Sequence, residues 1–109
     1  MKVVFLPEVV DFFEEFAWIL YEKGYFWDYE WSRQYVEELN NDIKNNLPTK
    51  LHRPAPQFYE KYGKNLYYAV FKKNRRTSYY AFFSKYVDNE QTIFLVCYIG
   101  NNHTDAQHF

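Results

Sequence analysis

Two hydrophobic periods divide the chain, and this division limits the folds that it can adopt. Between Val9 and Tyr21, and again between Trp31 and Ile43, apolar residues recur every three or four positions, which is the spacing of one helix face. After residue 65 the pattern changes to short apolar runs separated by polar turns, which is typical of strands. Helices and strands that occupy separate parts of a chain predict an α+β domain.

The expected order of elements is strand, helix, helix, strand, strand, strand. A β-branched run at residues 2–6 predicts the first strand, and Pro7 suits the first turn of the helix that follows it. Asp28 can cap the second helix, and Gly24 can end the first. The later strands are predicted at residues 66–71, 77–83 and 92–99. We therefore expect a helical hairpin packed on a mainly antiparallel four-stranded sheet.

Composition indicates one folded domain, residues 1–109. Aromatic side chains make up 24% of the residues, which supplies the apolar surface that disordered chains lack. The longest apolar run is far shorter than the roughly 20 residues that span a bilayer. Cys97 is the only cysteine, so no intrachain disulfide can form, which is typical of a reducing compartment. We expect a cytoplasmic protein without membrane contact.

Charge is distributed unevenly along the chain. Residues 1–47 carry four bases against ten acids, a net charge of −6, whereas residues 48–109 carry nine bases against four acids, a net charge of +5. Two interpretations explain this distribution. The second half binds an anionic partner, or the protein has a dipolar surface without a ligand.

The most basic segment falls in a predicted turn between two strands. Mutual repulsion among its cations would be relieved by a polyanion, and Arg can bind phosphate oxygens in a bidentate manner. Four tyrosines on the flanking strands could stack on unpaired bases, namely Tyr67, Tyr68, Tyr79 and Tyr80. The alternative is a solvated turn whose charges prevent edge-to-edge pairing of sheets. The candidate nucleic-acid-binding residues are Lys64, Lys72, Lys73, Arg75, Arg76 and Tyr79.

Two other segments contain groups that could take part in chemistry. His103 follows the last predicted strand, and its imidazole can act as a general acid or base near neutral pH. The alternative for this segment is a frayed polar terminus. His103 and His108 together form a poor metal-binding pattern, so we predict no metal and no cofactor. His52 and Arg53 are better explained as part of a surface loop.

Several segments of the chain carry a family resemblance. They are the opening residues 2–6 followed by Pro7-Glu8 and a Phe-rich helix, the strand at residues 66–71, and the closing Ile-Gly-Asn-Asn-His of residues 99–103. With these features the chain resembles toxins of the RelE/ParE superfamily from bacterial toxin–antitoxin systems, over nearly its whole length. The resemblance implies a RelE/ParE-like β-α-α-β-β-β fold.

The resemblance also implies an activity. RelE-like toxins cut messenger RNA in the ribosomal A site by promoting attack of a ribose 2′-hydroxyl on the adjacent phosphate, so the chain would be an endoribonuclease that inhibits translation. The implied catalytic residues are His103, which would move a proton, and Arg76 and Lys73, which would stabilise charge on the pentacovalent phosphate.

Two other functions are alternatives to the endoribonuclease. ParE-like toxins inhibit DNA gyrase without cleaving nucleic acid, and the absence of an Arg from the strand at residues 77–83 favours this alternative. A non-toxic interaction module of the same fold is the third hypothesis. The implied partners are a cognate antitoxin protein and either ribosome-bound mRNA or gyrase, and self-association as a homodimer is a further option.

Overall fold

The computed structural model describes the chain from Met1 to Phe109 and contains five strands and three α-helices. The strands are β1 Lys2–Phe5, β2 Arg53–Pro54, β3 Tyr67–Lys72, β4 Ser78–Asp88 and β5 Gln91–Asn101. The α-helices are α1 Pro7–Glu22, α2 Tyr29–Asn46 and α3 Asn102–Asp105. Short 3₁₀ segments occur at Leu47–Thr49, Gln57–Tyr62 and Ala106–His108. The α+β class is confirmed.

All strands belong to one mixed sheet with the order β1-β5-β4-β3-β2. β1 pairs in parallel with β5, and the other neighbours are antiparallel. The expected number of four strands is wrong, because Arg53–Pro54 pairs with β3 as a fifth strand. This strand has only two residues and includes a proline, which is tolerated at a sheet edge but gives no strand pattern in the sequence.

Residues at the helix ends determine where the two helices of the hairpin begin and end. Pro7 occupies the first turn of α1, and Gly24, with a φ of 83°, lies just beyond its C-terminal end. The Asp28 side chain accepts a hydrogen bond of 3.0 Å from the backbone N–H of Trp31 and so caps α2. These predicted boundaries are confirmed. None of the helices combines the length and the apolar character that crossing a membrane requires.

The main core lies between the helical hairpin and one face of the sheet, which we call the helix face. Apolar positions of the two helical patterns meet alternate residues of β3, β4 and β5 there. The buried residues of this core are Val9, Phe13, Ala17, Val36, Leu39, Ile43, Leu47, Ala69, Phe71, Tyr79, Ala81, Phe83, Phe94, Val96 and Ile99.

The opposite face of the sheet, which we call the second face, carries a smaller aromatic cluster. It is built around Tyr59, Leu66 and Phe82, and the segment Gln57–Tyr62 covers it. The last residues also fold onto it, because the Phe109 ring lies 5.0 Å from the Tyr80 ring between centroids. The final segment is therefore packed and is not a frayed terminus.

Candidate nucleic-acid interface

A hydrogen-bonded turn joins β3 to β4 and presents the basic cluster. The backbone N–H of Lys73 donates to the carbonyl of Thr77 at 2.9 Å. Inside the turn, the Asn74 side-chain oxygen accepts from the backbone N–H groups of Arg76 at 2.9 Å and Thr77 at 3.0 Å. Asn commonly satisfies turn donors in this manner. The backbone below Arg75 and Arg76 is therefore held in place while both side chains remain exposed.

Asn102 ties this turn to the end of β5. Its side-chain oxygen accepts from the backbone N–H of Ser78 at 2.9 Å, and its side-chain nitrogen donates to the carbonyl of Arg76 at 2.9 Å. One side chain thus satisfies two backbone groups that are 26 and 24 residues away. Asn102 therefore fixes the start of α3 against the basic turn.

His103 lies beside the basic turn. Its Nε2 atom and the Thr77 hydroxyl form a hydrogen bond of 3.1 Å, and the residue is exposed. The Asn101 side chain caps α3 by accepting from the backbone N–H groups of His103 at 2.9 Å and Thr104 at 3.0 Å. The structure therefore brings the predicted imidazole and the predicted cations to one end of the sheet.

Three cations of the cluster have no carboxylate partner. Lys72, Arg75 and Arg76 are exposed. Arg33 and Lys73 are the only basic residues of the molecule that form ion pairs with carboxylates. These three side chains carry uncompensated positive charge at one turn. An arrangement of this kind attracts phosphate groups.

Lys73 differs from its neighbours in the turn. Its Nζ atom donates to Glu38 of α2 at 3.1 Å and lies 4.7 Å from the centroid of the Tyr35 ring, and its side chain is 21% exposed. A carboxylate therefore already compensates the charge of Lys73. The expectation that Lys73 stabilises a reacting phosphate stays a prediction, and Glu38 competes with the phosphate for this cation.

Tyr79 is not available for stacking on a base. It is 4% exposed on the helix face, its hydroxyl shares a hydrogen bond of 3.0 Å with that of Tyr35, and its ring contacts Phe16. Burial, together with the hydrogen bond to Tyr35, raises the pKa of the Tyr79 phenol well above its ordinary value. Its predicted place in the nucleic-acid-binding set is wrong.

Lys64 is also separated from the site. It precedes β3, which runs from Tyr67 to Lys72 at the turn and is roughly 17 Å long at about 3.3 Å per strand residue. Lys64 is exposed but belongs to the opposite end of the sheet. The basic residues that meet at the turn without a carboxylate partner are therefore Lys72, Arg75 and Arg76.

Tyr80 is among the tyrosines expected to stack on bases, and it lies on the face opposite to Tyr79. It is half-buried on the second face, where its ring centroid lies 6.0 Å from that of Tyr68. Strand alternation places Val70 and Lys72 of β3 on this same face. Val70 is 41% exposed and Phe109 is 50% exposed, so an apolar surface lies below the basic turn. We call Val70, Lys72, Tyr80 and Phe109 the second-face patch.

The remaining histidines are engaged elsewhere. His52 bonds through Nε2 to the carbonyl of Leu47 at 2.8 Å and packs its ring edge-on against Phe83, so it is part of the fold. The His108 ring stacks on Phe58 with the centroids 3.4 Å apart. No three His, Cys, Asp or Glu side chains lie together in a geometry that could hold a metal ion.

Acidic side chains dominate the helical hairpin. A groove of about 740 Å³ between α1 and α2 is rimmed by Glu14, Glu15 and Glu37. The hydrogen bond that Arg33 donates to Glu30, followed by the electrostatic attraction of Glu30 and Glu37, raises the pKa of Arg33 on this surface. A polyanion is repelled by the hairpin and attracted by the basic turn, so the electrostatics favour one end of the molecule.

Comparisons with protein-family models, with curated proteins and with solved structures gave no significant match.

Proposed function

We propose that the protein is a toxin of the RelE/ParE type and that it cleaves messenger RNA on the ribosome. The observation that carries this proposal is the hydrogen bond of 3.1 Å between His103 and Thr77, at a turn where Arg75 and Arg76 have no carboxylate partner. An imidazole next to uncompensated cations is suited to moving a proton while a phosphate gains charge.

The α+β order supports the same proposal. Apart from the two-residue β2, one strand, two helices and three longer strands follow each other along the chain, and the closing Asn-Asn-His segment lies at the start of a short helix at the sheet end. This order agrees with the RelE/ParE-like fold that the sequence resemblance implies.

The proposed reaction needs one nucleophile, one proton carrier and compensation of negative charge. The ribose 2′-oxygen attacks the adjacent phosphorus, the bond from phosphorus to the 5′-oxygen breaks, and the products are a 2′,3′-cyclic phosphate and a 5′-hydroxyl. One proton leaves the 2′-hydroxyl and one is added to the 5′-oxygen. His103 carries out one of these two transfers, and water accepts or donates the proton in the other. Arg76 and Arg75 stabilise the pentacovalent phosphate more than the ground state. Lys72 and Tyr80 bind the flanking nucleotides.

Primer extension on a translated messenger RNA tests this proposal. The wild-type protein should produce discrete cleavage products, and His103→Ala should slow their formation by about a hundred- to ten-thousand-fold, the usual contribution of a general acid or base. Lys64→Ala is the matched control, since it removes an exposed charge at the other end of β3 and should leave cleavage unchanged. Absence of cleavage by the wild-type protein would refute the nuclease proposal.

Inhibition of DNA gyrase is the second candidate, and one observation favours it. Between Ser78 and Ser84, β4 contributes no basic side chain to either face of the sheet, so the cations available for catalysis are confined to the turn. A supercoiling assay separates the two functions, because a gyrase inhibitor keeps its effect in the His103→Ala variant. Unchanged supercoiling argues against this candidate. A non-toxic module predicts no growth arrest when the protein is induced alone.

We also propose an antitoxin as the protein partner, because the helical hairpin exposes large aromatic residues. Trp27 is 98% exposed at its tip, and Trp18 and Trp31 are 51% and 60% exposed. Exposed apolar patches commonly mark partner surfaces. Copurification from the native operon with a small second protein supports this partner. A mass corresponding to two copies of this chain supports a homodimer instead.

A further inference from the structure

Asp105 is a buried carboxylate that no cation compensates. It is 3% exposed and takes part in no ion pair. A buried charge is costly unless hydrogen bonds replace its hydration, and four donors surround this one. They are the Asn101 backbone N–H at 3.0 Å, the Thr104 hydroxyl at 2.8 Å, the Tyr59 hydroxyl at 2.9 Å and the Tyr98 hydroxyl at 3.4 Å.

The sheet is shaped to admit this carboxylate. A Cβ atom at Gly100 would lie 2.6 Å from Oδ2 of Asp105, which is closer than such atoms approach. Gly100 is therefore required by the close approach of a side chain to the β5 backbone, and not by its own φ. The carboxylate also connects β5 with the distant Gln57–Tyr62 segment, because the Tyr59 hydroxyl donates to it.

The element that Asp105 anchors is the one that carries His103. α3 contains only Asn102–Asp105, and a single turn of helix has little stability on its own. Asn102 fixes its first residue to the basic turn, and Asp105 fixes its last residue to β5. With both ends held, the imidazole has a defined position against the Thr77 hydroxyl.

We propose that Asp105 is a positioning residue, which locks α3 onto the sheet so that the His103 imidazole stays beside Thr77 and the cationic turn. The effect of Asp105 on the cleavage rate rests on the proposed function, whereas its effect on the position of the His103 ring does not. The competing explanation is that Asp105 stabilises the fold and has no specific effect on His103. The two explanations differ in what happens to His103 in a variant that remains folded.

The geometric test uses nuclear magnetic resonance of the three histidine rings. In Asp105→Asn, the nuclear Overhauser contacts between the His103 ring and Thr77 should be lost and the His103 ring signals should shift. The His52 ring packs against Phe83 of the helix-face core and serves as the internal control, with unchanged signals. Unchanged His103 contacts in the folded variant would overturn the proposal.

Tyr59→Phe keeps the proposal testable if Asp105→Asn does not fold. Tyr59 is fully buried, its ring stacks on Phe82 at 4.0 Å, and only its hydroxyl reaches the carboxylate. The phenylalanine keeps the ring contacts and removes one of the four donors. We expect a partial loss of the contacts between His103 and Thr77, and full retention of these contacts would count against the proposal.

The catalytic test compares single-turnover cleavage of ribosome-bound mRNA. Asp105→Asn should lower the rate at saturation by about a hundredfold, the effect of a misplaced catalytic group, with the concentration dependence unchanged. Asp88→Asn, at the far end of β4, is the control and should cleave as the wild type does. If Asp105→Asn instead keeps the maximal rate and needs a higher protein concentration to reach half of it, the positioning role is overturned. If the wild type does not cleave RNA, the proposed function fails while the resonance experiment still decides the geometry.

Discussion

Replacing Glu38 with Ala should strengthen RNA binding, although Glu38 lies on α2 and outside the basic turn. Its carboxylate accepts from Lys73 at 3.1 Å and so withholds that cation from a phosphate. Lys72, Arg75 and Arg76 remain free. At about 0.7 per phosphate contact on a single strand, the wild-type plot of log K against log salt should have a slope of about −2. Glu38→Ala frees a fourth cation and should steepen the slope to about −3.

Two further variants make this prediction specific. Replacing both Arg75 and Arg76 with Ala should flatten the slope to about −0.7, because one free cation remains. Lys73→Ala should leave the slope near that of the wild type, since its charge is already compensated. Fluorescence anisotropy of a labelled single-stranded RNA over a range of KCl concentrations measures all four slopes. If Lys73→Ala flattens the slope as much as the loss of one arginine does, the assignment of free and paired cations is wrong.

The other predictions concern the fold. Ile43→Ala removes a fully buried side chain from the helix-face core and should lower the free energy of unfolding in urea by about 2–5 kcal/mol; a loss well below this range contradicts the assigned packing. Tyr79 keeps its proton in the folded state because burial and Tyr35 raise its pKa. The contribution of this protonated phenol to the free energy of unfolding is complete below the ordinary tyrosine pKa near 10. It is lost as the pH rises above that value, because the unfolded chain then releases the proton that the folded protein keeps. Tyr79→Phe should make alkaline unfolding less steep, and an unchanged profile contradicts the pKa shift. Asn89 and Glu90 both have positive φ values, 50° and 63°, in the turn between β4 and β5. Glu90→Gly should therefore stabilise the protein by up to about 1 kcal/mol in the same urea assay, and destabilisation contradicts the strained turn.

The helical hairpin and the long strands could be predicted because their signals are local. Asp28 precedes a helical pattern and caps it, and Gly24 has the positive φ that ends α1. β2 could not be predicted, since Arg53–Pro54 has no strand pattern of its own and extends only because β3 is beside it. Its existence depends on tertiary pairing.

The candidate site was predictable in its position and not in its detail. The turn before β4 and the end of β5 lie at the same end of the sheet, because these two strands are antiparallel. Arg76 and His103 could therefore be expected to lie near each other. Alternation shows that Tyr79 and Tyr80 face opposite sides, but the sequence does not say which side the helices cover. The pairing of Lys73 with Glu38 joins residues 35 positions apart, and no short-range pattern reports such a contact.

A β-bulge explains why the sequence around Cys97 could not be assigned to faces. Phe82 pairs with Tyr98, whereas Phe83 pairs with Val96, so Cys97 is an extra residue in β5. Cys97 and Tyr98 therefore both contact the aromatic cluster of the second face. Burial raises the pKa of the Cys97 thiol, which agrees with a packing role.

A map of the residues that RNA contacts tests most directly whether the basic turn is the binding site. A 2′-O-methyl RNA oligonucleotide, which lacks the attacking hydroxyl, is titrated into the labelled protein while amide chemical shifts are recorded. We expect the largest shifts at residues 72–77 and 101–105, which form the basic turn and the segment that carries His103. Largest shifts on α1 and α2, or no saturable shifts at all, would contradict this expectation.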